Sequence, residues 1–480
     1  MMTHADSPPL LQPPSRRFAG LDALRGFAIL TMVLSGTVPH GMLPAWMYHC
    51  QTPPPTHKFD PNVPGITWVD LVFPFFLFAL GAAIPFALRR RIEKGMPVGQ
   101  AALTILKRGA LLFFFAVYQQ HIVPYVIKPE PDTHAWLCGL IGFALFFPMM
   151  MRFPDRWKPA THWTLRAAGW AGAIALLAHL RYPDGTGFSI YRSNIILMLL
   201  MVSAVFGSLA WLFTRDNLPL RLGVLGILMA HRLANGHPGW VNWIDNLVSI
   251  SKVWGPGYAH YLFIVIPGTI AGDMMLAWIR GRDGNDAGPK WSVARYGTVV
   301  ALMTAFILVN LAGLKARWIP ATVVVNAAMC LAGWFILSKP QNPTERLLTS
   351  LYRWGFYWLV LGLAFEPYEG GIKKDPNTMS YFFVTTGLAL FLVIAFTVVL
   401  DVWKVKFGAR LLVDNGQNPM IAYVGMANFI QPVLALLGIG AWIDRITPGA
   451  WLGTLRAILL TLLLGFVVSA FTRMKVFWRT

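Results

Sequence analysis

Of 480 residues, 56% are hydrophobic and only 13% charged, with a mean hydropathy of +0.54; a soluble domain carries about 25% charged residues, so an ordinary water-soluble globule is excluded. The net charge of +19 does not mark a nucleic-acid binder. About 28 of the Lys and Arg fall on alternate connections between apolar runs and about 12 on the others, the bias that marks cytoplasmic loops.

In chain order, residues 1–18 come first, with Ser7-Pro8-Pro9 and Pro13-Pro14 and no apolar segment of their own. They predict a disordered cytoplasmic tail ahead of an uncleaved first span. Apolar runs near the ~20 residues a spanning helix needs follow at 22–43, 66–88, 193–214, 257–280, 296–314, 320–338, 380–401, 419–440 and 450–472. Shorter or interrupted runs lie at 108–127, 134–151, 163–180, 218–235 and 353–366. The expectation is one domain, 19–480, folded as an all-α polytopic transmembrane bundle of about 14 spans (12–14). Arg16 and Arg17 before the first span, and Arg473, Lys475 and Arg479 after the last, predict that both termini are cytoplasmic. Lipid offers backbone groups no water, and the runs are too long and apolar for alternating barrel strands. Cys50, Cys138 and Cys330 are too few for a disulfide framework and lack metal-ligand spacing, so no metal is expected.

Three connections on the predicted outer side are longer than their linking task requires, the usual place for function. The first, about 44–65, holds His49 and His57 beside Pro53-Pro54-Pro55, with His40 upstream and Trp46 within it. Histidine is the side chain best placed to exchange protons near neutral pH, although polar groups also collect in any interfacial loop. Just beyond, Asp70 interrupts an apolar run that Pro74 should kink. A carboxylate there marks a site facing the bundle interior, or else caps the helix N-terminus. Asp22 and Arg25 are spaced to pair on one helix face. The second connection, 236–256, carries Trp240, Trp243 and Trp254, interfacial anchors or sugar-stacking platforms, as Trp46 also is. In the third, 367–379, Tyr368 and Glu369, with Glu366 just before it, suit a cationic amine. On the opposite side, Asn418 and Pro419 have the chemistry of a helix cap and first turn. A phosphate-bearing ligand would meet Gln417 and Asn418 there, with Lys404 and Arg108 as basic partners.

The segment Leu21-Asp22-Ala23-Leu24-Arg25-Gly26, followed by Gly65-Ile66-Thr67-Trp68-Val69-Asp70-Leu71-Val72-Phe73-Pro74-Phe75-Phe76, resembles the heparan-α-glucosaminide N-acetyltransferase family, above all its bacterial members found with N-acetylglucosamine utilisation. Lys374-Asp375-Pro376 through Thr378, Ser380 and Tyr381, then Gly416-Gln417-Asn418-Pro419 with Tyr423, and Lys475-Val476-Phe477-Trp478-Arg479 are similar to later stretches of that family. Residues 130–350 carry no such likeness. The resemblance implies transfer of acetyl from cytoplasmic acetyl-CoA to an amino sugar across the membrane, using a histidine before the Asp70 helix. His57 is the nearer candidate and is favoured, with His49 in reserve. Where that family is expected to carry Asn, this chain has Ser35-Gly36. The resemblance further implies a bacterial inner-membrane location and a homodimer. The competing expectation from the residues is an amino-sugar transporter, equally compatible with many spans and Gly/Pro-interrupted helices.

Overall fold

The structure is a computed structural model describing residues 17–154, 156–248, 256–281 and 290–478. Residues 1–16 of the expected tail, Trp254 and Arg479 lie outside the described residues. Among the described residues nineteen α-helices follow in order. The first seven are α1 (Ala19–Ser35), α2 (Trp68–Glu93), α3 (Val98–His121), α4 (Pro124–Ile127), α5 (Thr133–Met150), α6 (Pro159–His179) and α7 (Ile195–Thr214). Next come α8 (Leu218–Ala234), α9 (Trp240–Val248), α10 (Leu262–Arg280), α11 (Val293–Lys315), α12 (Ile319–Ile336), α13 (Pro343–Ala364) and α14 (Met379–Thr397). The last are α15 (Ala409–Gln417), α16 (Pro419–Gly425), α17 (Gln431–Leu436), α18 (Ile439–Ile446) and α19 (Ala450–Arg473). Among the described residues the only β pairing is an isolated bridge between Met151 and Trp478. The chain is therefore an all-helical bundle, as its apolar runs require.

Among the described residues ten helical segments are long and apolar enough to cross a membrane: α2, α3, α5, α7, α10, α11, α12, α14, the pair α16–α17, and α19. The other four expected spans, α1, α6, α8 and α13, do not meet that measure. Helices α1 and α8 have 17 residues each, and α13 carries Glu345, Arg346 and Arg353. Burial ranks the elements. In their most apolar stretches α2 and α14 are each 78% buried and α10 72%, against 22% for α12. The first three form the centre, and α12 shows most of its surface outward.

The centre is tight because glycine lets backbones meet. A Cβ on Gly81 would lie 2.2 Å from Val265 O, and one on Gly272 2.2 Å from Ala82 O, so α2 and α10 cross in near-contact. Helix α15 crosses α1 through a reciprocal pair. A Cβ on Gly26 would lie 1.8 Å from Leu412 O, and one on Gly416 would lie 1.8 Å from Asp22 O. Beside that crossing Arg25 pairs with Asp22 (3.2 Å) and donates to Gly416 O (3.0 Å).

Polar contacts sort the helix ends. Arg280–Glu93 (2.7 Å) and Arg89–Asp216 (3.1 Å) tie the C-terminal ends of α10 and α2 and the α7–α8 link at one end. At the other end, Gly65 N donates to Ile372 O (2.6 Å), Arg317 pairs with Glu366 (2.6 Å) and Arg232 with Glu369 (2.6 Å). Segments 36–67 and 365–378, the α11–α12 link and the C-terminus of α8 thus meet where α2 begins.

Gly26→Val should put methyl groups into the α15 backbone and lower the thermal midpoint in detergent by roughly 5 °C or more. Gly223→Ala, where an added Cβ meets nothing within 4 Å, should leave the midpoint unchanged. Equal midpoints for both variants would refute the crossing.

Candidate active site at the start of helix α2

Thr67 is extended (φ −118°, ψ 177°) and turns the chain into α2, placing Asp70 in the first turn. The Asp70 side chain is fully buried. Its Oδ2 accepts from Thr67 N (2.9 Å) and Cys50 N (3.2 Å), while Oδ1 lies 2.6 Å from His49 Nδ1. The carboxylate therefore caps its own helix, as one of the two readings had it, and also binds the backbone of the preceding loop. Pro74 has no N–H to give the carbonyl four residues before it, which is that of Asp70. Tyr381 OH on α14 donates to this freed oxygen at 2.8 Å.

The loop that carries His49 is pinned on both sides. Thr67 Oγ1 donates to Tyr48 O (2.7 Å), and Gln51 Nε2 donates to Val63 O (2.9 Å) and Gly65 O (3.2 Å). A carboxylate only accepts, so His49 Nδ1 donates to it, and the neutral form of the ring would have its lone pair on Nε2. The His49 side chain is 41% exposed beside a fully buried Asp70. Lys374 Nζ stands 3.2 Å from Nδ1 and 3.3 Å from Nε2. The two ring nitrogens point in diverging directions, so an ammonium nearly equidistant from both lies on neither lone-pair axis. Chemically this is an oriented imidazole with one nitrogen held by a buried carboxylate, the other available, and a cation alongside. Cys50 Sγ lies 3.1 Å from Lys315 Nζ. Burial pushes the Cys50 thiol up, against the pull of that ammonium.

The remaining candidates are distributed differently. His57, the favoured histidine, has φ 50° and packs its ring 4.1 Å from that of His40 and 4.4 Å from that of Tyr48. Its Nε2 is buried without a hydrogen-bond partner, and the carboxylate goes to His49 instead. Trp46 (53% exposed) and Tyr368 (49%) both present their rings outward. Glu366 and Glu369 are already neutralised by Arg317 and Arg232, so an incoming amine would have to displace a guanidinium.

At the other end of the bundle the expected cap is not formed. Asn418 makes no side-chain bond to the start of α16; its Nδ2 donates to Val476 O (2.7 Å). It is spent on holding the C-terminal segment, and α16 is a single short element before the π turn Met426–Ile430. Gln417 ends α15, while Arg108 on α3 and Lys404 after α14 are both exposed.

Sequence reading assigned no role to Lys374 or Arg317, and Tyr381 entered only as part of a familiar stretch. Lys374 is 325 positions from His49 and Tyr381 is 311 from Asp70; only the Pro74 vacancy signalled that some donor should come to the Asp70 carbonyl.

Over residues 17–275 the chain matches the family described as Domain of unknown function (DUF5009). That is more than half its length, and the chain belongs to this family. No curated protein matches it.

In a variant whose only cysteine is Cys50, maleimide labelling at pH 7 should be at least about tenfold slower than for a free thiol near its ordinary pKa, and should rise steeply with pH, because only the thiolate reacts. Labelling at the free-thiol rate would show that the loop does not cover this residue.

Proposed function

We propose that this chain is a membrane-embedded acyltransferase that moves acetyl from acetyl-CoA to the amine of an amino sugar, with His49 as its proton-accepting residue. One observation carries the choice of residue: the 2.6 Å contact of His49 Nδ1 with a buried carboxylate, which leaves Nε2 as the basic nitrogen. In the proposed step the amine nitrogen attacks the thioester carbonyl and Nε2 takes the amine's proton. The C–S bond then breaks, and the proton passes to the departing thiolate. Lys374 would stand by the carbonyl oxygen as negative charge develops on it. Asp70 is a positioning residue, holding the tautomer through Nδ1. The acetyl group's identity, the sugar and the family's direction of transfer come from the resemblance of the Asp22–Arg25 and Asp70–Pro74 stretches.

The same reading takes fourteen crossings, adding α1, α6, α8 and α13 to the ten apolar spans. It places the basic end, with both termini, in the cytoplasm of a bacterial inner membrane. Acetyl-CoA would approach from there, with its phosphates toward basic side chains such as Lys404. A transporter remains the second reading. Its specific support is the interrupted helix run from α15 through α17, broken at Asn418–Pro419 and again at a π turn, since discontinuous helices form many substrate sites in transporters.

The test uses purified protein in nanodiscs with acetyl-CoA and glucosamine, following CoA release and product mass. His49→Ala should lower turnover by about 10²–10⁴-fold, the usual worth of a general base, and His57→Ala by less than about tenfold. Undiminished turnover in His49→Ala would remove the assignment. Counterflow of labelled glucosamine in liposomes, with no acetylated product, would establish the transporter instead.

A further inference from the structure

Beyond the dyad, the segment 365–378 borders a second polar cluster at the end of α8. Arg232, in the last turn of that helix, pairs with Glu369 Oε1 (2.6 Å) and donates to Asn377 Oδ1 (3.2 Å) and to His260 Nδ1 (3.0 Å). A guanidinium only donates, so His260 Nδ1 accepts and the proton of its neutral ring sits on Nε2. His260 is 7% exposed, and its Nε2 is buried without a hydrogen-bond partner. Ring geometry sends that N–H away from Arg232.

His231 precedes Arg232 in sequence, and its ring centroid lies 6.2 Å from that of His260. Its Nε2 meets Asp245 Oδ1 at 2.8 Å, leaving Asp245 Oδ2 buried and without a partner. Both rings are therefore held from one side, each by a charged group. What remains is one N–H donor and one carboxylate acceptor, the complement of a hydroxyl or of two neighbouring hydroxyls. Buried polar groups left unpaired are costly, so a ligand that pairs both is favoured.

We propose that His260 Nε2 and Asp245 Oδ2 form a hydroxyl-reading subsite for the pyranose ring of the acceptor. The choice of a sugar rests on the amino-sugar acetyltransferase reading, while the leftover donor and acceptor stand independently of it. One segment links the two places, because 365–378 sends Lys374 to His49 and Glu369 and Asn377 to Arg232. That segment thus connects the His49 site with the guanidinium that holds His260.

The experiment compares the full chain with His260→Phe and Asp245→Asn in nanodiscs. It measures glucosamine binding by calorimetry without acetyl-CoA, then KM and kcat for glucosamine and for cyclohexylamine, a cyclic amine with no hydroxyls. Each variant should weaken glucosamine binding about tenfold, the worth of one well-placed hydrogen bond. KM should rise in step, kcat should change far less, and preference for glucosamine over cyclohexylamine should fall about tenfold. Asp245→Asn is isosteric and keeps the test open where His260→Phe fails to fold. Unchanged binding and KM in the folded variants, or equal losses for both amines, would overturn the subsite. Wild-type binding that the variants weaken, without acetyl transfer, would keep the subsite and reject the acetyltransferase. Transfer that the variants leave untouched would do the reverse.

Discussion

A carboxylate buried at the head of an apolar helix needs partners, and the rest of this structure is arranged around supplying them to Asp70. An ionised group without water or hydrogen bonds costs several kcal/mol in such a place. Asp70 has backbone N–H groups from Thr67 and Cys50 and the imidazole of His49. Those groups come from two segments, the helix entry itself and the loop before it, so the loop conformation and the carboxylate's stability are one condition. The carbonyl of the same residue, released by Pro74, is bound by Tyr381. That bond ties α14 to the first turn of α2, and the residues just before α14 bring Lys374 to the exposed side of His49.

The bundle supplies the rigidity this arrangement needs. Helices α2, α10 and α14 are the most buried of the spans, and glycines bring the α2 and α10 backbones into near-contact. Ion pairs at each end then fix the links: Arg280–Glu93 below, and Arg317–Glu366 with Arg232–Glu369 around the candidate site. Sites built on packed helices hold their geometry better than sites on free loops. Here the loop that carries His49 is anchored by its own glutamine and threonine contacts.

Much of the fold was legible from hydropathy, because lipid enforces long apolar helices and basic flanks. Asp70 was legible for the same reason: a lone carboxylate in an apolar run demands an explanation. Pro74 announced a freed carbonyl. Which of His49 and His57 meets the Asp70 carboxylate was not legible, since distance along the chain favoured the nearer residue. The chain folds back through Pro53–Pro55, so that His57 packs on His40 and Tyr48 while His49 reaches the carboxylate. Glu366 and Glu369 looked available for an amine because their arginines lie 49 and 137 positions away in sequence, a separation that spacing rules for helices do not reach. Asn418 looked like a cap because its neighbours are those of a cap, but a tertiary acceptor, the Val476 carbonyl, took its amide.

The central claim is that Asp70 acts through His49, and a double-mutant cycle on kcat/KM tests it most directly. Wild type, His49→Ala, Asp70→Asn and the double variant would be compared for acetyl-CoA-dependent acetylation of glucosamine, with folding checked by thermal melts. If the carboxylate works by holding the imidazole, the double variant loses no more than His49→Ala alone. Losses that multiply would contradict the account, because they would mean that the two residues contribute independently.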